Sequence, residues 1–264
     1  MKTMYLAGIA AVSLALTSCA RDDSALTKRL DSMDSKLASI EQKLGQIGAG
    51  RPMAQPAQRR GPQPGTVYSI PVDNVPFKGN PDAKVTIVEA MEFACPACEA
   101  TRPFVAQLLE ELGDRVKLVQ KSFIVHPGRA EPGSYAACAA NRQGKFVEME
   151  KLIWDEGFKA GKLDKENMRS LAGKIGLDVD RFAADMDGVC VEQVKTEHQG
   201  MQAIGTTGTP TFFINGKVLP QRTLDAVKAM VDAEEKLAGE RIAQGTKPQN
   251  YYKEWIVDKG KKTM

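Results

Sequence analysis

The feature that most constrains this chain is Cys95-Pro96-Ala97-Cys98, which lies just after one apolar run and directly ahead of another. The first run, Val85, Thr86, Ile87, Val88 and Glu89, is β-branched and reads as a buried central strand. The second places Phe104, Val105, Leu108, Leu109 and Leu112 at helical spacing within residues 101–112, and Gly113 ends it. A strand–CxxC–helix order puts Cys95 at a helix N-terminus, where unbonded N–H groups and the helix dipole favour a thiolate. Pro96 suits the first helical position because it has no N–H to leave unpaired. Cys98 is close enough to attack a mixed disulfide at Cys95, so the pair can cycle between dithiol and disulfide. A zinc knuckle would need two further ligands, and neither a second CxxC nor paired histidines accompany this one. A purely structural disulfide would close too short a loop to stabilise much.

A second constellation is Gly208-Thr209-Pro210-Thr211-Phe212-Phe213-Ile214-Asn215-Gly216. Residues 211–214 and 217–219 read as a hairpin with Asn215-Gly216 as its turn. A proline at the mouth of a strand is normally an edge feature. A cis Pro210 would present a backbone edge without an N–H, the kind a chain beside a CxxC needs.

With these pieces the chain resembles the DsbA-like thiol:disulfide oxidoreductases of the thioredoxin superfamily, over roughly residues 66–240. The resemblance rests on residues 85–98, on Phe123-Ile124-Val125-His126-Pro127, on Gln143-Gly144-Lys145-Phe146 and on residues 208–216. It implies an α/β chain with a thioredoxin fold and a helical insertion at about residues 128–204. It makes Cys95 the nucleophile, Cys98 the resolving thiol, and Pro96, Ala97, Thr209 and Pro210 the active-site loops. It implies no organic cofactor and no metal. Glu89 stands six residues before Cys95, where the family has a buried acidic residue, and this position implies a proton-transfer role. Lys121 is its expected partner. One departure matters: strongly oxidising members have His where this chain has Ala97. Without that imidazole the Cys95 thiolate is expected to be less stabilised and the site less oxidising.

The N-terminus reads as an export signal. Residues 1–18 carry Lys2 and an apolar stretch at 5–16, too short for the roughly 20 residues of a membrane span. Leu16-Thr17-Ser18-Cys19 resembles the bacterial lipobox, which implies cleavage before Cys19 and lipid on its sulfur. Ala20 stands where an aspartate would retain the protein at the inner membrane, so outer-membrane anchoring facing the periplasm is expected. That compartment is oxidising. With Cys19 acylated, four of the five cysteines remain. Cys138 and Cys190, both in the helical region, are then expected to form a structural disulfide; two buried free thiols are the alternative.

Residues 24–47 hold a heptad, with Leu30, Leu37 and Leu44 at a and Leu26, Met33, Ile40 and Ile47 at d. Arg29 and Lys36 at g would meet Asp34 and Glu41 at e of a parallel neighbour. Leucine at a with isoleucine at d favours trimers or tetramers over dimers, and Gly45, Gly48 and Gly50 are expected to fray the helix end. A Pro/Gly/Gln-rich linker follows at residues 48–65, then the thioredoxin-like domain at 66–244 and a tail at 245–264. Residues 67–70 read as a short strand, 116–125 as another, 135–204 as helical and 223–242 as a last long helix. His126 reads as a loop residue and His198 as a surface one.

The charge balance, 36 basic against 33 acidic residues, excludes a nucleic-acid binder that relies on phosphate neutralisation. Aromatics at 6% are too few for a base-stacking surface, and two histidines exclude a His-rich metal site. Taken together, the residues predict a lipid-anchored homo-oligomer exchanging disulfides with exported cysteine-containing proteins, together with a membrane redox partner. Several active sites on one stalk favour isomerase or reductase work. A DsbA-type dithiol oxidase is the first alternative. A redox-regulated binding or chaperone module, one that handles copper through thiolates, is the second.

Overall fold

Period-two burial in the central strand organises the domain. In a computed structural model describing residues 24–49 and 61–264, β1 spans Phe77–Gly79 and β2 spans Val85–Met91. β2 is buried along its whole length. Alternation sends Ile87 to one core cluster and Val88 and Ala90 to another across the sheet; Glu89 shares the face of Ile87. β2 pairs in parallel with β3 (Val116–Ser122), Glu89 opposite Gln120. On its other side β2 pairs antiparallel with β4 (Thr211–Ile214), Glu89 opposite Phe212. β5 (Lys217–Val218) completes the order β1-β3-β2-β4-β5. The parallel pair needs a crossover, and α2 (Pro96–Leu112) provides it. Leu108 of this helix packs with Ile87, Leu118 and Ile214. This is the thioredoxin fold that the resemblance implied.

The helical insertion comprises α3 (Glu131–Asn141), α4 (Phe146–Leu152), a π turn at Ile153–Phe158, α5 (Lys165–Lys174), α6 (Val179–Asp187) and α7 (Val189–Ala203). Its core is Met149, Ile153, Trp154, Met168 and Phe182, and Phe93 from the active-site loop joins it. A Cβ on Gly133 would lie 2.8 Å from the Phe93 Cβ, so only glycine lets α3 approach this closely. Cys138 on α3 and Cys190 on α7 are disulfide-bonded. The last helix, α8 (Leu224–Ala243), packs Val227 and Val231 on the α2 side of the sheet.

Several boundaries differ from the sequence reading. α2 does begin at Pro96, the first helical position expected of that proline, and the Cys95 carbonyl accepts the bonds of its first turn. β3 stops at Ser122 rather than 125. Beyond it the N–H groups of Ile124, Val125 and His126 are taken by His198 and Glu92 side chains. Residues 67–70 form no strand: Tyr68 makes a single bridge to Lys261, and Pro71 cannot extend the ladder. β1 gave no sequence signal because it holds three residues, one a glycine. The Asn215-Gly216 turn has φ of 42° and 77°, the left-handed pair that a tight hairpin requires. The tail packs on the domain, Lys261 N–H bonding the Val67 carbonyl and Met264 N–H that of Ala203. His198 is half-buried rather than fully exposed: its ring stacks on Phe123 with centroids 5.0 Å apart.

Among the described residues of the N-terminal unit stands one helix, α1, Ser24–Ala49. It runs through Gly45 and Gly48, since mid-helix glycine costs only about 1 kcal/mol. In one copy Leu26, Leu30, Met33, Leu37 and Ile40 are 52% to 59% exposed. Among the described residues no helix is long and apolar enough to cross a membrane. The signal segment, Cys19 and linker residues 50–60 lie outside the described residues. Residues 61–65 belong to the globular unit, where Gln63 N–H donates to the Tyr68 hydroxyl at 2.9 Å.

Candidate active site

Cys95 caps α2 with extended backbone, φ −88° and ψ 116°. Its carbonyl accepts from Cys98 N–H at 3.1 Å and Glu99 N–H at 3.2 Å. Pro96 and Ala97 are exposed at the tip, while Cys95 and Cys98 are buried and both carry free thiols. The Thr209–Pro210 peptide is cis, and the Cys95 Sγ lies 3.5 Å from the Thr209 carbonyl. The two sequence constellations, 114 residues apart, therefore form one surface.

The two thiols differ in environment. Burial pushes the Cys98 thiol far above its ordinary range, and the charges of Cys95 and Glu89 add to the effect. A hydrogen bond from the Glu92 backbone works the other way. Cys98 is thereby held in its thiol form.

Glu89 lines the same cleft as Cys98. Burial, and secondarily the negative charge of Glu150, raise its pKa from 4.5 to about 7; Lys78 and Arg222 oppose this. Lys121 is not its partner. Lys121 is buried and held below its ordinary range, and the carboxylates facing it are Glu197 and Asp73. Because the Glu89 pKa is higher folded than unfolded, ionising it costs nothing below pH 4.5 and the full amount above pH 7. At 1.36 kcal/mol per pH unit that interval is worth about 3 kcal/mol. Glu89→Gln is therefore expected to raise unfolding free energy by about 3 kcal/mol at pH 8 and to leave it unchanged at pH 4. Denaturant titrations at the two pH values check this.

Some site residues escaped the sequence reading. Glu92 is fully buried, and its carboxylate accepts from Val125 N–H at 2.6 Å and His126 N–H at 3.0 Å and also contacts the His126 ring. It ties the segment before Cys95 to the loop after β3. Glu150 belongs to α4 and is bonded by Lys78 of β1 and Gln120 of β3. A signal for it existed: Phe146, Met149, Glu150 and Ile153 fall on one helical face, so a carboxylate stands in an apolar stripe. Arg222 donates to the Thr101 hydroxyl, which itself bonds the Ala97 carbonyl.

A dithiol at a helix N-terminus beside a cis proline defines a thioredoxin-type redox site. The chain belongs to the thioredoxin family, whose profile, described as Thioredoxin, matches residues 72–233. A solved thioredoxin-like oxidoreductase from Silicibacter pomeroyi is 26% identical, with a TM-score of 0.54 over 62% of this chain and 94% of that one. Oxidised BdbD from Bacillus subtilis, 19% identical with a TM-score of 0.53, covers 67% of this chain and 100% of its own and shares the fold. Among curated proteins, the Na(+)/H(+) antiporter NhaA of Herminiimonas arsenicoxydans is 32% identical over 156 residues, 57% of this chain. The chain spans about a quarter of the length of the curated relatives it matches, 24% in that case.

Proposed function

We propose that the chain is a thiol:disulfide oxidoreductase acting on cysteine-containing exported proteins, working as an isomerase or reductase from a self-associated stalk. The observation that carries the reading is the Cys95 Sγ at the N-cap of α2, facing the Thr209 carbonyl with Cys98 behind it. Cys95 attacks a substrate disulfide and forms a mixed disulfide, and Cys98 displaces it. Thr209 and Pro210 line the edge on which a substrate strand lies. The similar oxidoreductase from Silicibacter pomeroyi supports the same class of chemistry.

Self-association draws on α1. Its row of half-exposed Leu26, Leu30, Met33, Leu37 and Ile40 has no cover in one copy. Arg29 opposite Asp34 and Lys36 opposite Glu41 suit a parallel second copy, and the a and d residues favour a trimer. Lipid on Cys19 would hold the assembly at the periplasmic face of the outer membrane, and an acyl mass on that residue is the check.

Removing residues 19–60 is expected to leave a folded monomer, since Gln63 onward belongs to the globular unit. That monomer keeps Cys95 reactivity and loses most isomerase activity on scrambled ribonuclease, because one site cannot hold a substrate while another reshuffles it. Light scattering beside the ribonuclease assay tests this. A monomeric full-length protein, or isomerase activity that survives the deletion, contradicts it.

A further inference from the structure

Below Cys98, between α2 and the inserted helices, lies a cleft of about 690 Å³ with Glu89 and Cys98 in its wall. Glu150, Lys78 and Gln120 share that wall. Lys78 Nζ lies 2.6 Å and 2.8 Å from the two Glu150 oxygens, and Gln120 Nε2 donates to one of them at 3.2 Å. Gln120 is also the register partner of Glu89. The cluster thus joins β1, β2, β3 and α4 beneath the resolving thiol. An apolar residue at 150 would leave the Lys78 ammonium and the buried Gln120 amide without this acceptor.

We propose that Glu150, held by Lys78 and Gln120, is a positioning residue for the redox step: its charge sets the proton affinity of Glu89, and so when Glu89 accepts the Cys98 proton. The role rests on the dithiol reading above. In the step itself the Cys98 thiol gives its proton to the Glu89 carboxylate. The Cys98 sulfur pair then forms a bond to Cys95 Sγ. The bond from Cys95 to the substrate sulfur breaks, and its pair leaves on that sulfur as a thiolate. The protein pair is oxidised by two electrons and the substrate disulfide is reduced by two. Glu89 returns its proton to water through the cleft.

The charged groups around Glu89 fall into two sets. Those acting on it are Glu150 of α4, Lys78 of β1 and Arg222 of the segment after β5, with Cys98 of α2 beside it. At the rim, Arg102 and Lys159 pair with Glu99 and Asp155, Lys151 with Asp155, and Glu148 with Lys145. The rim charges are largely neutralised by one another, which leaves Glu150 on one side and Lys78 and Arg222 on the other as the charges acting on Glu89.

The test uses the full-length reduced protein and two readouts. One is the carboxyl ¹³C titration of Glu89, its resonance identified by loss in Glu89→Gln. The other is the pH profile for release of the second thionitrobenzoate from dithiobis(nitrobenzoate), which reports Cys98 attack. Glu150→Gln is expected to move both midpoints down by roughly one pH unit, and Lys78→Gln to move them up. Opposite signs are the signature, since loosened packing would move both variants alike. If Glu150→Gln does not fold, the upward shift in Lys78→Gln carries the test. Superimposed profiles, or shifts of one sign, overturn the role of Glu150 alone. A wild-type protein that releases no second thionitrobenzoate overturns the dithiol reading instead, and with it the redox step, while the carboxyl titration still reads the Glu150–Glu89 coupling.

Discussion

Cys95→Ser protein is expected to reduce insulin or a small disulfide no faster than the buffer thiol alone, whereas Cys98→Ser is expected to stop after one step with substrate attached. The asymmetry follows from the two environments. Cys98 is pressed toward its protonated form by burial, so it cannot open the reaction. Cys95 sits at the mouth of α2, with exposed Pro96 and Ala97 beside it and the Thr209 edge alongside. A serine hydroxyl there stays protonated and does not attack sulfur. Without Cys98 the mixed disulfide has no internal thiol to release it, so it accumulates. Non-reducing gels and mass spectrometry of the trapped species are the check. Turnover in Cys95→Ser, or trapping through Cys98, would mean the roles are reversed.

Removing the Cys138–Cys190 bond is expected to have the largest effect on stability. The bond ties the first inserted helix to the last across a sequence separation of 52 residues. By chain entropy such a loop is worth about 4 kcal/mol, or a fall in Tm of roughly 10 °C for a domain of this size. The double variant Cys138→Ala, Cys190→Ala should lose that much in a denaturant titration. It should still exchange disulfides at low temperature, because Cys95, Cys98 and Thr209 all lie outside the closed loop. A loss below about 1 kcal/mol would show that α3 and α7 hold together by packing alone.

The Cys95–Cys98 pair was legible because it is local. Cys95 and Cys98 stand three positions apart, and a strand and a helix announce themselves on either side. The register of Pro210 against Cys95 was legible only through family resemblance, since 114 residues separate the two loops. Glu89 was found through the family resemblance, which implies a buried acidic residue six positions before Cys95, but its surroundings were misread. Lys121 follows Gln120 on β3, and alternation turns it to the opposite face, toward Glu197 and Asp73. The cations that act on Glu89 come from a three-residue edge strand and from a segment after β5, neither of which leaves a periodic signal. Glu92 was missed for a related reason. A carboxylate between Met91 and Phe93 looks like a strand-end residue, and only the fold brings Val125 and His126 to it. The α1 helix, by contrast, follows from periodicity alone and lies where it was expected, although its glycines did not end it at the expected place.

The central claim is that Cys95 and Cys98 form one reversible dithiol–disulfide couple. The most direct measurement equilibrates the full-length protein in glutathione buffers of graded potential, quenches it, and counts alkylated cysteines by mass. The expected result is a single two-electron transition in which Cys95 and Cys98 lose their thiols together, while Cys138 and Cys190 stay bonded throughout. If Cys95 and Cys98 instead remain two independent thiols in the most oxidising buffer, or end as separate glutathione adducts, the account is wrong.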